Sequence, residues 1–321
     1  MCHSSAQPRL ELLIDLSKLR STSGIALTYI GDYSLTFINP ITAAPFSAIR
    51  NLFDYLAQNP ASAAALNDVY TLRGIFKTAA TENPTCDQKL TVDLSPTRIA
   101  RIPPGLQVEL TEHGLGDILT FFNTISDHYV PQVITSLSAI AGRDLAPLHA
   151  SFNVNFRLID YNPATASPKS QNGCGAHTDY GTFSIIFQDG TAGLEMEAPE
   201  TPGTWVPVPG NATVLLCGWC AVVLSGGKVA AVRHRVRRVP GVRRLSAVLF
   251  VAPDLDVKMA PGERVEAFSE AVNKGLYDVR WFKEKMGKKW RYREGNENLE
   301  CGDDSAEQDI DVSQLVWKKI C

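Results

Sequence analysis

No stretch of this chain is both apolar and free of breakers for long enough to read as a membrane helix. The longest uncharged run, Thr201 to Gly227, is broken by Pro202, Pro207, Pro209, Gly210 and Asn211. Positive charge is not in excess: 31 Lys and Arg face 34 Asp and Glu. No basic stripe interleaved with aromatics appears, which argues against a nucleic-acid partner. The seven cysteines are odd in number and scattered, so they do not form a disulfide framework. The opening MCHSSAQPRLELLIDL lacks the basic start, apolar run and small-residue cleavage site of a secretory leader. Cys321 is the last residue, whereas prenylation needs a cysteine four from the end. There is no internal repeat and no low-complexity tract. The expectation is a cytoplasmic protein in a reducing compartment, associated with neither membrane nor nucleic acid.

What is present is a globular composition. Hydrophobic residues make up 45% of 321 and charged residues 20%, enough to bury a sizeable core without staples. The N-terminal half carries helical periodicity. Phe46, Ile49, Leu52, Phe53 and Leu56 mark a helix over 45–58, a second is expected over 60–73, and a long one runs over 114–141. Pro131 is expected to kink or split that long helix. Strands are expected over 10–16 and within 26–38.

From His149 the pattern changes to short β-rich runs punctuated by Gly, Pro and Asn: 152–161, 176–188, 192–197, 204–208, 212–217, 220–224, 229–238 and 244–252. Many short strands without intervening helices indicate a sandwich or barrel, not a parallel sheet. Helix returns over about 263–285, and an acidic, extended end follows from Asn296 to Val312. The organisation expected is one catalytic domain over 1–321, mainly β with flanking helices (α+β). It comprises a helical N-terminal half with the first strands (1–145), a double-sheet core (146–260) and a C-terminal helix and tail (261–321). The long helix is expected to cover one sheet face.

The chemistry is concentrated in the core. Gly175-Ala176-His177-Thr178-Asp179-Tyr180-Gly181 contains a His-x-Asp pair, and side chains two apart on a strand share a face. His234, in Val232-Arg233-His234-Arg235-Val236, offers a second imidazole from another strand. Two histidines and one carboxylate form the facial triad of non-haem Fe(II) oxygenases, which leaves coordination positions open. A 2-oxo acid can take two of them and O2 a third. Its far carboxylate calls for a planar, permanently charged partner. Ten residues beyond His234, Arg244 offers that guanidinium and Ser246 a hydroxyl on the same strand face. One other pair is close, Cys217-Gly218-Trp219-Cys220. A redox pair needs this spacing at a helix start, whereas here it reads as buried strand, so the thiols are expected to be inert.

The ordered series HTDYGTFSIIFQD, GLEME, Trp205 before VPVPG, HRV and RLS resembles the isopenicillin N synthase-like branch of the Fe(II)/2-oxoglutarate-dependent dioxygenases. The likeness covers about residues 155–255. IDLSKL at 14–19, the stretch ending in DLSPTRIARIP, and the stretch 261–290 ending in FKEKMGKKW are similar to the same family. The resemblance implies a double-stranded β-helix (jelly-roll) core and Fe(II) held by His177, Asp179 and His234. It implies 2-oxoglutarate held by Arg244, Ser246 and Tyr161, with O2 as the other cosubstrate. The implied activity couples oxidative decarboxylation of 2-oxoglutarate to hydroxylation, desaturation or cyclisation of a small molecule. Secondary-metabolite biosynthesis, on an amino-acid- or peptide-like compound, is the implied setting. The family's pattern is broken at Ile159, where Asn is common, and at Trp219, where Asp is common.

Asn155 and Arg157 share the face of Tyr161, and Val248 and Phe250 that of Arg244; all four are candidate substrate contacts, as are Phe183 and Ile185 after the His-x-Asp turn, and each of Val248, Phe250, Phe183 and Ile185 reads equally as core. Arg157 facing a barrel interior calls for an anion, supplied either by a substrate carboxylate or by a local Asp or Glu. Two rival readings stay open: a 2-oxoglutarate-independent iron oxidase of the same branch, and a non-catalytic jelly roll that binds a metal or ligand.

Overall fold

A computed structural model describes residues 28–29, 36–37, 42–68, 75–77, 83–168, 170–198, 201–293 and 312–318. The strand expected over 10–16, the IDLSKL segment and most of the acidic end lie outside these residues. The described strands are β1 (Thr28–Tyr29), β2 (Thr36–Phe37), β3 (Phe76–Lys77), β4 (Leu90–Leu94), β5 (Val154–Tyr161) and β6 (Asn172–His177), followed by β7 (Phe183–Gln188), β8 (Leu194–Glu197), β9 (Trp205–Pro207), β10 (Val214–Cys217), β11 (His234–Arg237) and β12 (Arg244–Val251). They form two antiparallel sheets: an eight-stranded one ordered β1-β2-β10-β7-β12-β5-β4-β3 and a four-stranded one ordered β6-β11-β8-β9. This is the expected jelly roll.

The strand period of two divides the large sheet into two faces. One face, with Phe156, Leu158, Phe183, Ile185, Phe187, Leu245 and Leu249, packs under the helices. The other, with Ile159, Tyr161, Ile186 and Val248, meets Cys174, Leu194, Met196 and Val236 of the small sheet in the jelly-roll interior.

The helices are α1 (Phe46–Gln58), α2 (Pro60–Asp68), α3 (Pro96–Ile99), α4 (Pro104–Leu110), α5 (Gly116–Ala141), α6 (Trp219–Leu224), α7 (Glu270–Asn273) and α8 (Val279–Arg293). Helix α1 buries Ile49, Leu52, Phe53 and Leu56, the apolar stripe that its spacing indicates. Helix α5 lies on the large sheet: Phe122 stacks on Phe156 at 5.3 Å, and Phe121 meets Phe187 edge-on at 5.1 Å. Phe156→Ala should therefore cost about 3–5 kcal/mol by opening a cavity between helix and sheet. Chemical denaturation would show this as a lower midpoint at unchanged slope.

Three expectations are corrected. Helix α5 runs unbroken through Pro131, because Tyr129, Val130, Val133 and Ile134 bury on both sides of it and offset a cost of about 3 kcal/mol. The run 176–188 is two strands separated by the turn that carries Asp179. Residues 220–224 are helix, not strand. Every residue of α6 is buried, so no polar alternation marks its period.

Helix α6 also sets the position of the site. A side chain on Gly218 would meet the Gly181 and Asp179 carbonyl oxygens at 2.5 and 2.7 Å, so only glycine lets the helix start this close. The first backbone N–H groups then hold the loop: Trp219 donates to the Asp179 carbonyl and Cys220 to that of Tyr180, both at 3.0 Å. Cys217 and Cys220 are free and buried, and burial pushes the Cys217 thiol up to about 12 and the Cys220 thiol up as well. Cys220 does sit at a helix start, but burial disfavours the thiolate that reactivity requires.

Candidate active site

Strands β6 and β11 pair antiparallel with His177 opposite His234, and the imidazole centroids stand 4.3 Å apart. Asp179 follows on the turn, with Oδ1 3.7 Å from His177 Nε2. One donor atom from each of the three lies within 4.8 Å of the others. The hydrogen bonds around them fix which atoms are free. His177 Nδ1 is 2.8 Å from the Gly175 carbonyl oxygen, and His234 Nδ1 is 3.1 Å from that of Val232. A carbonyl oxygen only accepts, so both Nδ1 atoms carry the proton and both Nε2 lone pairs point at the gap. Burial, then the neighbouring His177, push the His234 imidazolium toward its neutral, ligating form. Ser184 donates to Asp179 Oδ2 at 2.5 Å, and the Trp219 indole N–H donates to Thr178 at 2.8 Å. Two imidazoles and one oriented carboxylate suit a divalent first-row ion with open positions.

A second constellation lies on the interior face of β12 and β5. Arg244 is 3% exposed and sits opposite Tyr161 in register. Its Nη2 donates to Gln188 Oε1 at 2.9 Å and its Nε to the Thr191 carbonyl at 3.3 Å. Gln188 is turned that way because its own amide donates to the Pro209 and Ala212 carbonyls. Arg244 Nη1 is buried and completes no hydrogen bond. The guanidinium lies 5.1 Å from the centroid of the Tyr161 ring. Burial lowers the Arg244 pKa and pushes the Tyr161 hydroxyl up to about 12, so the phenol stays protonated. Ser246 is buried on the same face, between Ile159 and Gln188. A buried guanidinium bonded to neutral acceptors, near the Asp189 carboxylate and with Nη1 left over, has the donor chemistry to receive a carboxylate.

The structure treats the proposed substrate contacts unequally. Val248 and Phe250 face the jelly-roll interior. Phe183 does not: it packs with Ile185 and Phe187 in the helix-facing core, and Ser184, Ile186 and Gln188 take the interior face. The fully apolar side of β7 belongs under the helices, and its mixed side belongs to the site. Arg157 finds its anion in Asp93, with Nε at 2.7 Å from Oδ1 and Nη2 at 3.1 Å from Oδ2. Asn155 donates to the same carboxylate at 2.9 Å and accepts from Arg98 at 2.8 Å. Burial alone would raise the Asp93 carboxyl, but Arg157, Lys77 and Arg98 outweigh it and hold it well below the usual carboxylate range. Asp93→Ala should destabilise the fold by about 3 kcal/mol, because it strips three partly buried cations of their shared, buried counter-ion. Thermal unfolding of that variant measures it.

Sequence reasoning misses Ser184, Gln188 and Asp93. Polar residues at every second or fourth place of otherwise apolar strands, Ser184 and Gln188 in FSIIFQ and Asp93 in LTVDL, are the available signal.

Residues 149–253, which contain the candidate metal and anion residues, match the family model of the 2OG-Fe(II) oxygenase superfamily. Over that span the chain is similar to that superfamily. Over 112 residues it is 38% identical to the 2-oxoglutarate-dependent dioxygenase tropC of Talaromyces stipitatus, covering 34% of either chain. Over 105 residues it is 33% identical to the scopoletin 8-hydroxylase of Arabidopsis thaliana, covering 32% of this chain and 29% of that one. The aligned region thus spans about a third of the length of the curated relatives it matches. Among solved structures, a full-length Neurospora crassa protein in complex with alpha-KG superposes with TM-score 0.57 at 17% identity, over 78% of this chain and 85% of that one. A putative oxygenase from Shewanella oneidensis superposes with TM-score 0.57 at 19% identity, over 79% and 89%. At those identities the likeness is one of fold.

Proposed function

We propose that this protein is an Fe(II)- and 2-oxoglutarate-dependent oxygenase that oxidises a small molecule, with residues 1–321 acting as one catalytic domain. The observation that carries this reading is the unsatisfied Arg244 guanidinium sharing one interior with the His177–Asp179–His234 donors. His177 and His234 would hold iron through Nε2 and Asp179 through its carboxylate. Arg244 and Ser246 would hold the far carboxylate of 2-oxoglutarate, and the protonated Tyr161 hydroxyl would add a hydrogen bond. When bound, Fe(II) with 2-oxoglutarate and O2 supplies the power to remove hydrogen from an unactivated C–H bond, with succinate and CO2 as by-products.

The chain's own part is placement. The Gly175 and Val232 carbonyls hold the imidazole tautomers, Ser184 orients Asp179, and Gln188 and Thr191 aim the guanidinium. Ile159, Ile186, Val236 and Val248 exclude water around them. Hydroxylation is the outcome favoured by the likeness to a named hydroxylase, and secondary-metabolite chemistry by the likeness to fungal dioxygenases. An amino-acid- or peptide-like substrate draws no support from Arg157, whose fork Asp93 occupies. The four free, buried cysteines among the described residues support a reducing, cytoplasmic setting.

The test needs no substrate. Fe(II) and then 2-oxoglutarate are added to the metal-free protein without oxygen, and the visible spectrum is recorded. A charge-transfer band that needs both additions, followed by succinate release once air is admitted, is the expected result. Iron uptake without the band would favour the 2-oxoglutarate-independent oxidase. Failure to take up iron would leave a non-catalytic jelly roll.

A further inference from the structure

A side-chain cluster outside the triad and the guanidinium joins the two sheets. Lys89, immediately before β4, reaches across to Cys174 on β6, the edge strand of the small sheet. Lys89 Nζ stands 3.1 Å from Cys174 Sγ and 2.8 Å from Asp87 Oδ2, and the sulfur stands 3.6 Å from that same oxygen. Asp87 is fixed in turn, because its Oδ1 accepts from the Gly175 N–H at 2.8 Å. All three are buried, Lys89 and Cys174 each to 7% exposure. Asp87 already neutralises the lysine, so the contact with sulfur is not required for charge balance. It leaves an amine and a thiol held together beside the wall of the anion pocket. Gly173, next to Cys174, packs so closely on the Tyr161 ring that a Cβ there would come within 2.9 Å of it. The other cysteine pair lacks this setting: burial alone governs the Cys217 and Cys220 thiols.

We infer that Lys89 and Cys174 form an oxidative modification site, closing a thiol-cleavable nitrogen–oxygen–sulfur bridge when peroxide enters the jelly roll. One hydrogen peroxide oxidises the Cys174 thiol to the sulfenic acid and leaves as water. A second takes two electrons from the Lys89 nitrogen. An N–H bond and the sulfenic O–H bond break, the N–O bond forms, and two more waters leave. Sulfur and nitrogen each give up two electrons, and the two peroxides accept the four. The extra proton of the lysine ammonium passes to the Asp87 carboxylate and on to solvent. The bridge ties β4 of the large sheet to β6 of the small one. Thiol reductants open it by attack at sulfur: the S–O bond breaks, the oxygen leaves on the Lys89 nitrogen as a hydroxylamine, and a second thiol releases Cys174 from the mixed disulfide. This inference does not depend on the iron reading.

The experiment uses the full-length, metal-free protein. It is treated with graded hydrogen peroxide, free thiols are blocked with N-ethylmaleimide, and the protein is digested without reductant by a protease that does not cut at lysine. The expected product is a linked pair of peptides containing Lys89 and Cys174. It is one oxygen heavier and two hydrogens lighter than their sum, and dithiothreitol resolves it. Lys89→Arg and Cys174→Ser should each lose it, with Cys217 and Cys220 still unmodified in both. The inference is overturned if Cys174 is fully consumed as sulfinic acid while the Lys89 peptide stays unlinked. A linked pair without the added oxygen overturns the oxygen bridge.

Discussion

Arg244→Ala should raise the 2-oxoglutarate concentration needed for half-saturation by roughly 30-fold to several thousand-fold, since truncating one partner of a buried charge pair costs about 2–5 kcal/mol. Iron uptake should be unchanged, because the Arg244 hydrogen bonds go to Gln188 and Thr191 and not to the three metal donors. The size of the effect follows from how the guanidinium is held. Gln188 and the Thr191 carbonyl take one N–H each and fix the plane, so Nη1 is presented to the pocket already oriented and already desolvated. No ordering remains to be done when the carboxylate arrives. Arg244→Lys should recover little of the loss. A lysine cannot span Gln188, Thr191 and the ligand at once, and it offers a point charge where a fork is needed. Anaerobic titration of the charge-transfer band in wild type, Arg244→Ala and Arg244→Lys gives the three constants. An Arg244→Ala protein that saturates at the wild-type concentration would remove 2-oxoglutarate from this site.

The clustering of the candidate metal and anion residues is legible in the sequence because their geometry is local or set by register. His177 and Asp179 lie two apart at a strand end, as do Arg244 and Ser246 on one strand face. Antiparallel pairing then places His234 opposite His177 and Tyr161 opposite Arg244. What stays hidden depends on burial on both sides. The apolar runs FSIIFQ and WCAVVL carry no polar alternation strong enough to show a face or even a period, so sequence alone leaves Phe183 between site and core and reads α6 as strand. Partners from far away in sequence are hidden too. Asp93 answers Arg157 from 64 residues upstream, and only the pairing of β4 with β5 brings them together. The positions that sequence leaves open, a substrate carboxylate or a local acid for Arg157, are the ones where two residues of suitable chemistry have to find each other through the fold.

Asp179→Ala should abolish turnover and weaken Fe(II) binding by more than about 100-fold, beyond the 10–100-fold typical of losing a group that only supports a ligand. Asp179 is the one anionic donor of the three, and its loss leaves two neutral imidazoles to hold a doubly charged ion. Ser184→Ala, which removes the hydroxyl that donates to Asp179 Oδ2, should fall in the lesser range, since the carboxylate keeps its charge and loses only its orientation. Asp179→Asn separates charge from shape. The Ser184 hydroxyl can reverse its bond to the new amide, so the side chain keeps its place while the charge is gone. Metal content after desalting from Fe(II), with an anaerobic titration of each variant, orders the series. The expected ranking is wild type, then Ser184→Ala, then Asp179→Asn, with Asp179→Ala weakest. If Asp179→Asn bound iron as tightly as wild type, the carboxylate would not be a ligand and the triad reading would fail. If Ser184→Ala fell as far as Asp179→Ala, the orientation of the carboxylate would matter as much as its charge, and the loop pinned by α6 would be the principal determinant of the metal site.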